Sequence, residues 1–196
     1  MKDIMIASIK DDINRSVEAL RSGGVILYPT DTIWGLGCDP TNEEAIEKIY
    51  QIKRRPPEKS MIILVDSLPM LERYSSGIHN VVYEIIEAEE KPLTLVLPAK
   101  ETLLCQSLIS ADGYVAVRVC RDEFCQSLIG RFRKPVVSTS ANISGATPPA
   151  IFSEIADEIV SGADYVVSHR RNDTRRAKPS PVIKIDGSGV VNILRR

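Results

Sequence analysis

Residues 28–39, YPTDTIWGLGCD, form the segment of this chain whose residue types are best suited to binding a ligand. The segment follows an apolar run, GVILYP, and its first ten residues include two threonines, an aspartate and two glycines. Hydroxyls and small residues at the end of a buried strand allow the backbone to approach a ligand closely. Taken alone, the segment could also be an ordinary strand end.

Four cations stand close together in IKRRPPEKSM, residues 52–61. They are Lys53, Arg54, Arg55 and Lys59, and the two prolines beside them would restrict the backbone. Arginine offers phosphate oxygens a planar fork and lysine offers a point charge, so the segment could cradle a phosphate. The alternative is a solvated helix C-terminus, where cations interact favourably with the helix dipole.

Two further places combine polar side chains with apolar strands. In STSANISG, residues 138–145, the hydroxyls and the amide could bind a phosphate, a ribose or a zwitterion, although these residue types also favour caps and turns. In VAVRV, residues 115–119, Arg118 would be costly to bury unless it is paired or faces a cleft. Otherwise it would take an outward position in an alternating strand.

Taken in order, these four segments resemble the YrdC/TsaC family, the threonylcarbamoyl-AMP synthases of tRNA modification. The Lys-x-Arg and Ser-x-Asn pairs of that family match Lys53/Arg55 and Ser140/Asn142. The closing motif of the family resembles KPSPVIKI and NILRR, residues 178–185 and 192–196. The resemblance extends from about residue 10 to the last residue.

The resemblance implies a role for each matching residue. Catalysis would fall to Lys53, Arg55, Ser140 and Asn142. ATP would be bound by Lys53, Arg55, Lys59, Ser140, Asn142 and Arg195. Threonine would be bound by Thr32, Arg118, Ser138 and Ser180, with Arg118 against its carboxylate. Arg54 is expected to face solvent, and no residue is expected to ligate a metal.

The implied reaction is that of a nucleotidyltransferase, an L-threonylcarbamoyladenylate synthase. L-threonine, bicarbonate or CO2, and ATP would give threonylcarbamoyl-AMP and pyrophosphate, with Mg²⁺ expected on the ATP. Downstream proteins that transfer the threonylcarbamoyl group to tRNA adenosine would be the partners. Such a site needs positioning and neutralisation of charge more than covalent participation.

Two other functions stay open at this point. One is a module that binds tRNA or other double-stranded RNA without catalysis, which would show a steep salt dependence. The other is a family paralogue that acts on a related adenylate. It is kept open because Leu64 stands where some members carry histidine, and Tyr114 where threonine is usual. Trp34 likewise replaces the commoner tyrosine.

Composition limits the remaining possibilities. The 196 residues are 43% hydrophobic and 26% charged with a net charge of −1, which predicts a single domain over residues 1–196 without a global basic field. The four cysteines form no C-x-x-C pair, so we expect reduced thiols rather than zinc or disulfides. There is no P-loop, so a nucleotide would be held by other means. There is no signal-like N-terminus or long apolar run, which predicts a cytoplasmic protein without a membrane span. Neither His79 nor His169 is expected to be catalytic.

The pattern of apolar residues predicts the elements that position these side chains. Helices are predicted over residues 11–22, 41–52, 121–132 and 153–160, with two short helices within 67–88. Strands are predicted over residues 24–29, 61–66, 92–99, 114–119, 134–139 and 164–168, with a closing hairpin at 181–185 and 190–194. Their alternation predicts an α/β fold with a twisted, open, mixed sheet flanked by helices. The resemblance implies a YrdC-like fold, related to dihydroxybutanone-phosphate synthase. Residues 169–180, HRRNDTRRAKPS, are expected to form a mobile loop.

Overall fold

The computed structural model describes residues 2–56 and 61–196. Its helices are α1 (Lys2–Arg21), α2 (Glu43–Lys53), α3 (Leu68–Tyr74), α4 (Asn80–Ala88), α5 (Glu123–Phe132) and α6 (Asp157–Gly162). Its strands are β1 (Ile26–Tyr28), β2 (Gly35–Gly37), β3 (Ile62–Val65), β4 (Thr94–Pro98), β5 (Tyr114–Val119), β6 (Val136–Ser140), β7 (Tyr165–Val166), β8 (Val182–Ile185) and β9 (Val191–Arg195). Short 3-10 turns lie at Glu101–Leu103, Gln106–Leu108 and Phe152–Glu154.

The strands form one mixed sheet in the spatial order β7-β1-β2-β6-β3-β5-β4-β8-β9. The pairs β1–β7, β3–β5 and β4–β8 are parallel, and the other neighbouring pairs are antiparallel. The sheet is open, because β7 and β9 each have a neighbour on one side only. The predicted α/β class with a mixed sheet is confirmed. Among the described residues, no helix has the length and apolar character needed to cross a bilayer.

Helix α2 shows how local sequence sets the elements beside the site. The side chain of Asn42 caps its N-terminus by accepting a hydrogen bond from the amide of Ala45 at 3.0 Å. Glu43 and Glu44 occupy the first turn, where acidic groups interact favourably with the helix dipole. The helix ends at Arg54, which adopts a left-handed conformation with φ 47°. The cations at 53–55 therefore lie on a sharp turn of the chain.

Strand β2 was not predicted from the sequence. Its three residues are GLG, and glycine is uncommon in strands. The glycines are required by close approach: a Cβ on Gly37 would lie 2.6 Å from the carbonyl oxygen of Val137 and 2.7 Å from the ring of Tyr28. A Cβ on Gly35 would lie 3.0 Å from the hydroxyl of Ser138. The sheet thus closes tightly around β2, beside the hydroxyls that were expected at the site.

Other boundaries also differ from prediction. Helix α1 starts at Lys2, well before the predicted residue 11, and the predicted helix 153–160 is a 3-10 turn followed by α6. The predicted strand 24–29 is shortened to β1. The break between two short helices near Gly77 is confirmed, since α3 and α4 flank it and Gly77 has φ 56°.

The register of the central strands brings distant segments together. Strand β6 pairs with β2 on one side, where Gly35 faces Ser140, and with β3 on the other, where Ile62 faces Ser138. Because side chains alternate along a strand, Ser138 and Ser140 project from the same face of β6. Strand β5, the parallel neighbour of β3, carries Arg118. One face of the sheet therefore gathers hydroxyls and a guanidinium from separate parts of the chain.

We expect Gly37→Ala to destabilise the protein, because its new methyl would collide with backbone and with the Tyr28 ring. Overpacking of this kind costs roughly 1–3 kcal/mol. Urea denaturation would measure the loss. Gly187→Ala is the matched control, since a Cβ there meets nothing within 4 Å. Equal stability of the two variants would contradict the close packing around β2.

Candidate functional site

A cavity of about 220 Å³ lies among β2, β3, β5, β6, β8, β9 and the loops between them. We call it the candidate cavity. The arginines in its wall are Arg55, Arg118 and Arg195. The hydroxyl residues in its wall are Thr30, Thr32, Ser138, Thr139, Ser140 and Ser180. A space bordered by guanidinium and hydroxyl groups is suited to an anionic or zwitterionic ligand.

The structure brings most of the expected site residues to this one space. Those in the wall are Thr32, Arg55, Arg118, Ser138, Ser140, Ser180 and Arg195. Lys53 and Asn142 are not in the wall, but both contact the loop that follows β6. Lys59 falls outside the described residues.

Thr30, which was not predicted as a site residue, organises the loop between β1 and β2. Its hydroxyl accepts a hydrogen bond from the amide of Thr32 at 3.0 Å and donates to the carbonyl oxygen of Ile33 at 2.8 Å. The hydroxyls of Thr30 and Thr32 lie 3.1 Å apart. A threonine that bonds to the amide two residues later is a recognisable turn signal, so the sequence PTDT could have indicated this role.

Arg118 is buried, with an exposed fraction of 3%, so the outward position is excluded. Its Nη2 lies 2.8 Å from Oδ1 of Asp31, and both side chains are almost fully buried. Its Nη1 donates to the hydroxyl of Ser180 at 3.3 Å, which in turn lies 2.8 Å from the hydroxyl of Thr94. Burial raises the pKa of Asp31, although the charge of Arg118 opposes this shift. Asp31 was missed at the sequence level.

Lys53 connects the end of α2 to the loop after β6. Its side chain is buried, with an exposed fraction of 1%, and the solvated alternative is wrong for this residue. Its ammonium donates hydrogen bonds to the carbonyl oxygens of Ser140 and, at 2.6 Å, of Asn142. The amide of Ser144 donates back to the carbonyl oxygen of Lys53 at 2.8 Å. Burial, and then the nearby charge of Arg55, lower the pKa of Lys53 to about 7.

Arg54 and Arg55 point to different surroundings although they are adjacent. The side chain of Arg54 is 72% exposed and lies 2.8 Å from Glu158, so its predicted solvent-facing position is confirmed. Arg55 lies in the wall of the candidate cavity, where burial lowers its pKa. The chain turns sharply at Arg54, which has a left-handed backbone conformation. Lys53 therefore bonds to the loop after β6, whereas Arg55 lies in the wall of the candidate cavity.

Arg195, in the cavity wall, and Asn142, in the loop after β6, each hydrogen bond to backbone carbonyl oxygens. Arg195 donates to the carbonyl oxygen of Ser180 from Nε at 3.2 Å and from Nη2 at 2.7 Å. Burial and the charge of Arg118 lower the pKa of Arg195. The Nδ2 of Asn142 donates to the carbonyl oxygens of Ile143 at 2.9 Å and Ala146 at 2.8 Å. These contacts fix the closing strand and the loop after β6.

The loop over residues 169–180 has no regular secondary structure, yet several contacts anchor it. The amides of Ser168 and His169 donate to the carboxylate of Asp12. Arg170 donates to the carbonyl oxygen of Thr30 and to Asp122, both at 3.1 Å. The start of this loop is therefore held against the loop that carries Thr30.

A family model matches residues 18–196; it is that of Sua5, YciO and YrdC, described as telomere recombination. The chain belongs to this family. A threonylcarbamoyl-AMP synthase of Vibrio vulnificus (strain YJ016) is 32% identical over 185 residues, which cover 88% of this chain and 97% of the relative. One of Photobacterium profundum is 34% identical over 152 residues, 76% of this chain and 82% of the relative.

Solved structures of the family are similar in fold. E. coli YciO has a TM-score of 0.81 at 26% identity, covering 94% of this chain and 88% of that one. P. abyssi Sua5 complexed with L-threonine has a TM-score of 0.77 at 27% identity, covering 88% of this chain and 50% of that one. This chain therefore spans about half the length of that Sua5 chain.

The departures from the family pattern lie in different surroundings. Leu64 is fully buried in β3, and Tyr114 packs its ring 3.7 Å from Nζ of Lys184; neither is in the wall of the candidate cavity. Trp34 is in the wall, with its ring centroid 4.8 Å from that of Phe152. Of these three residues, Trp34 alone borders the candidate cavity.

We expect Lys53 to make stability rise with pH above neutrality. Its pKa is about 7 in the folded protein and about 10.4 in an unfolded chain. Between these values the unfolded state holds a proton that the folded state lacks, so raising the pH favours folding. Lys53→Met should remove this slope, which is at most about 1.4 kcal/mol per pH unit.

Urea denaturation of both proteins at several values between about pH 7 and about pH 9 measures the difference in slope. Arg54→Met is the control, because it removes an exposed cation from the same helix end. Parallel stability curves for wild type and Lys53→Met would contradict the burial of Lys53.

Proposed function

We propose that this chain is an L-threonylcarbamoyladenylate synthase, which forms threonylcarbamoyl-AMP and pyrophosphate from L-threonine, bicarbonate or CO2, and ATP. The observation that carries the proposal is the convergence of Thr32, Arg55, Arg118, Ser140 and Arg195 on one cavity. These residues come from distant parts of the chain. Relatives 32–34% identical to it are named threonylcarbamoyl-AMP synthases.

ATP would lie against Arg55, Ser140 and Arg195 in the candidate cavity. Arg55 and Arg195 would bind phosphate oxygens, where charge-assisted hydrogen bonds contribute about 1.5–3 kcal/mol each. Lys53 and Asn142 would act beside Ser140, because Lys53 donates to the carbonyl oxygens of Ser140 and Asn142, and Asn142 donates within the loop after β6. Lys59 belongs to this ATP-binding set on resemblance alone.

Threonine would lie against Thr32, Arg118, Ser138 and Ser180 in the same cavity. Arg118 suits a carboxylate, since a guanidinium presents donors in a planar fork. The hydroxyls of Thr32 and Ser180 would accept hydrogen bonds from the threonine ammonium or donate to its carboxylate. P. abyssi Sua5, similar in fold to this chain, was crystallised with L-threonine.

The chemistry consists of an addition followed by a displacement. The threonine amine adds to CO2 and loses a proton to give a carbamate. A carbamate oxygen then forms a bond to the α-phosphorus of ATP, the bond to the bridging oxygen breaks, and pyrophosphate leaves. Arginines and hydroxyls accelerate this step by holding the reactants in line and by neutralising the phosphate charge.

ATP would enter as its Mg²⁺ complex. Among the described residues, no three His, Cys, Asp or Glu side chains cluster as metal ligands. This suits a cation that travels with the triphosphate and keeps most of its ligands from phosphate and water. We assign the reaction to one catalytic domain over residues 1–196, working in the cytoplasm, where ATP and tRNA occur. Its reactive product would pass to proteins that transfer it to tRNA.

Pyrophosphate release from ATP tests the proposal, with threonine and bicarbonate withheld in turn. A synthase releases pyrophosphate only when both are present. Release that needs neither, or no release at all, would refute the synthase. A salt-sensitive complex with double-stranded RNA in the absence of release would instead identify an RNA-binding module.

We expect Arg55→Ala to lower kcat/KM for ATP by roughly tenfold to a hundredfold, the loss of one charge-assisted phosphate contact. Arg54→Ala is the matched control, because the neighbouring arginine faces solvent and Glu158. Its kinetics should equal those of wild type. Wild-type kinetics in a folded Arg55→Ala variant would remove Arg55 from the phosphate site.

A further inference from the structure

Asp31 contacts Arg118 from outside the candidate cavity. Its neighbours Thr30 and Thr32 are in the cavity wall, whereas Asp31 is not. Asp31 instead borders a separate surface depression together with Asp122 and others. Its Oδ1 lies 2.8 Å from Nη2 of Arg118, whose guanidinium does reach the cavity. The Asp31 carboxylate therefore contacts the Arg118 guanidinium from a position outside the cavity wall.

This contact leaves part of the guanidinium for a ligand. Arginine has five N–H donors. Nη2 forms an ion pair with Oδ1 of Asp31 at 2.8 Å and donates to the hydroxyl of Thr30 at 3.5 Å. Nη1 donates to the hydroxyl of Ser180, a residue of the cavity wall, at the long distance of 3.3 Å. Among the described residues, Nε of Arg118 is buried with no hydrogen-bond partner. Because Nη1 carries two N–H groups, one of them thus remains for a carboxylate that enters the cavity.

Asp31 is itself held in place. The hydroxyl of Thr30 bonds to the amide of Thr32 at 3.0 Å and to the carbonyl oxygen of Ile33 at 2.8 Å, which fixes the backbone around Asp31. Arg170 binds the carbonyl oxygen of Thr30 from the far side at 3.1 Å. The side chains of Asp31 and Arg118 are 7% and 4% exposed, so water competes little for either charge. A buried arginine without such a partner would be strongly unfavourable.

We propose that Asp31 is a positioning residue, which holds Arg118 in the orientation that receives the carboxylate of the amino-acid substrate. The inference deepens the proposed function and rests on it for the identity of that substrate. Asp31 balances the charge of Arg118 while the cavity is empty. Since Asp31 contacts Nη2 only, it does so without blocking Nη1.

Asp31→Asn, which keeps the shape and removes the charge, tests the inference. We expect KM for threonine to rise on the order of tenfold to a hundredfold, as small misplacement of a binding group can cause. KM for ATP should stay unchanged. Asp122→Asn is the matched control: Asp122 lies beside the same loop but pairs with Arg170 at 3.1 Å. Asparagine also preserves its cap on α5.

A measurement without substrate separates this inference from the proposed function. In NMR spectra of isotope-labelled arginine side chains, the Arg118 guanidinium should be rigid in wild type and Asp122→Asn, and mobile in Asp31→Asn. The Arg118 signal is the one that is missing from the spectrum of the Arg118→Lys variant. Absence of pyrophosphate release in wild type would defeat the proposed function, while the NMR comparison still tests the positioning.

Two results would overturn the inference. One is a wild-type KM for threonine in Asp31→Asn, and the other is an Arg118 guanidinium that stays rigid in it. If Asp31→Asn does not fold, Asp31→Glu takes its place, because it keeps the charge and displaces the carboxylate by one methylene. We expect KM for threonine to rise in that variant too, and an unchanged KM would equally refute the role of Asp31.

Discussion

The burial of two basic side chains, Lys53 and Arg118, constrains how the segments around the candidate cavity are arranged. An ammonium or a guanidinium removed from water is tolerated only when nearby groups compensate its charge. The carbonyl oxygens of Ser140 and Asn142 compensate Lys53, and the carboxylate of Asp31 compensates Arg118. Each compensation ties two distant segments of chain together. The arrangement of α2, the loop after β6 and the loop after β1 follows from these two requirements.

The same contacts explain how the cavity stays shaped without a ligand. The tight β1–β2–β6 packing leaves no room for side chains on Gly35 and Gly37, so the hydroxyls of β6 stand at a fixed distance from the Thr30 loop. The closing strand β9 adds Arg195, which donates a hydrogen bond to the carbonyl oxygen of Ser180. A preformed cavity spares the protein the ordering of several side chains when the ligand arrives.

Sequence reasoning reached the fold class and most of the arginine and hydroxyl residues of the cavity wall, because those features depend on patterns and motifs. Apolar alternation revealed the longer strands, and motif order revealed Thr32, Arg55, Ser138, Ser140, Ser180 and Arg195 together. Strand β2 was missed because a residue larger than glycine at Gly37 would collide with the Tyr28 ring. A local sequence pattern does not reveal this contact. Asp31 and the anchoring of Lys53 were missed for a similar reason, since contacts between residues far apart in the sequence leave no spacing to detect.

Trp34 has a practical consequence, since it is the sole tryptophan of the chain and lies in the wall of the candidate cavity. Its indole is 6% exposed and packs beside Phe152, while its carbonyl oxygen accepts a hydrogen bond from the amide of Ala141 in the loop after β6. Intrinsic fluorescence excited at the indole therefore originates from a single point beside the ligand space. The protein carries its own optical titration probe, which needs no label and no coupled enzyme.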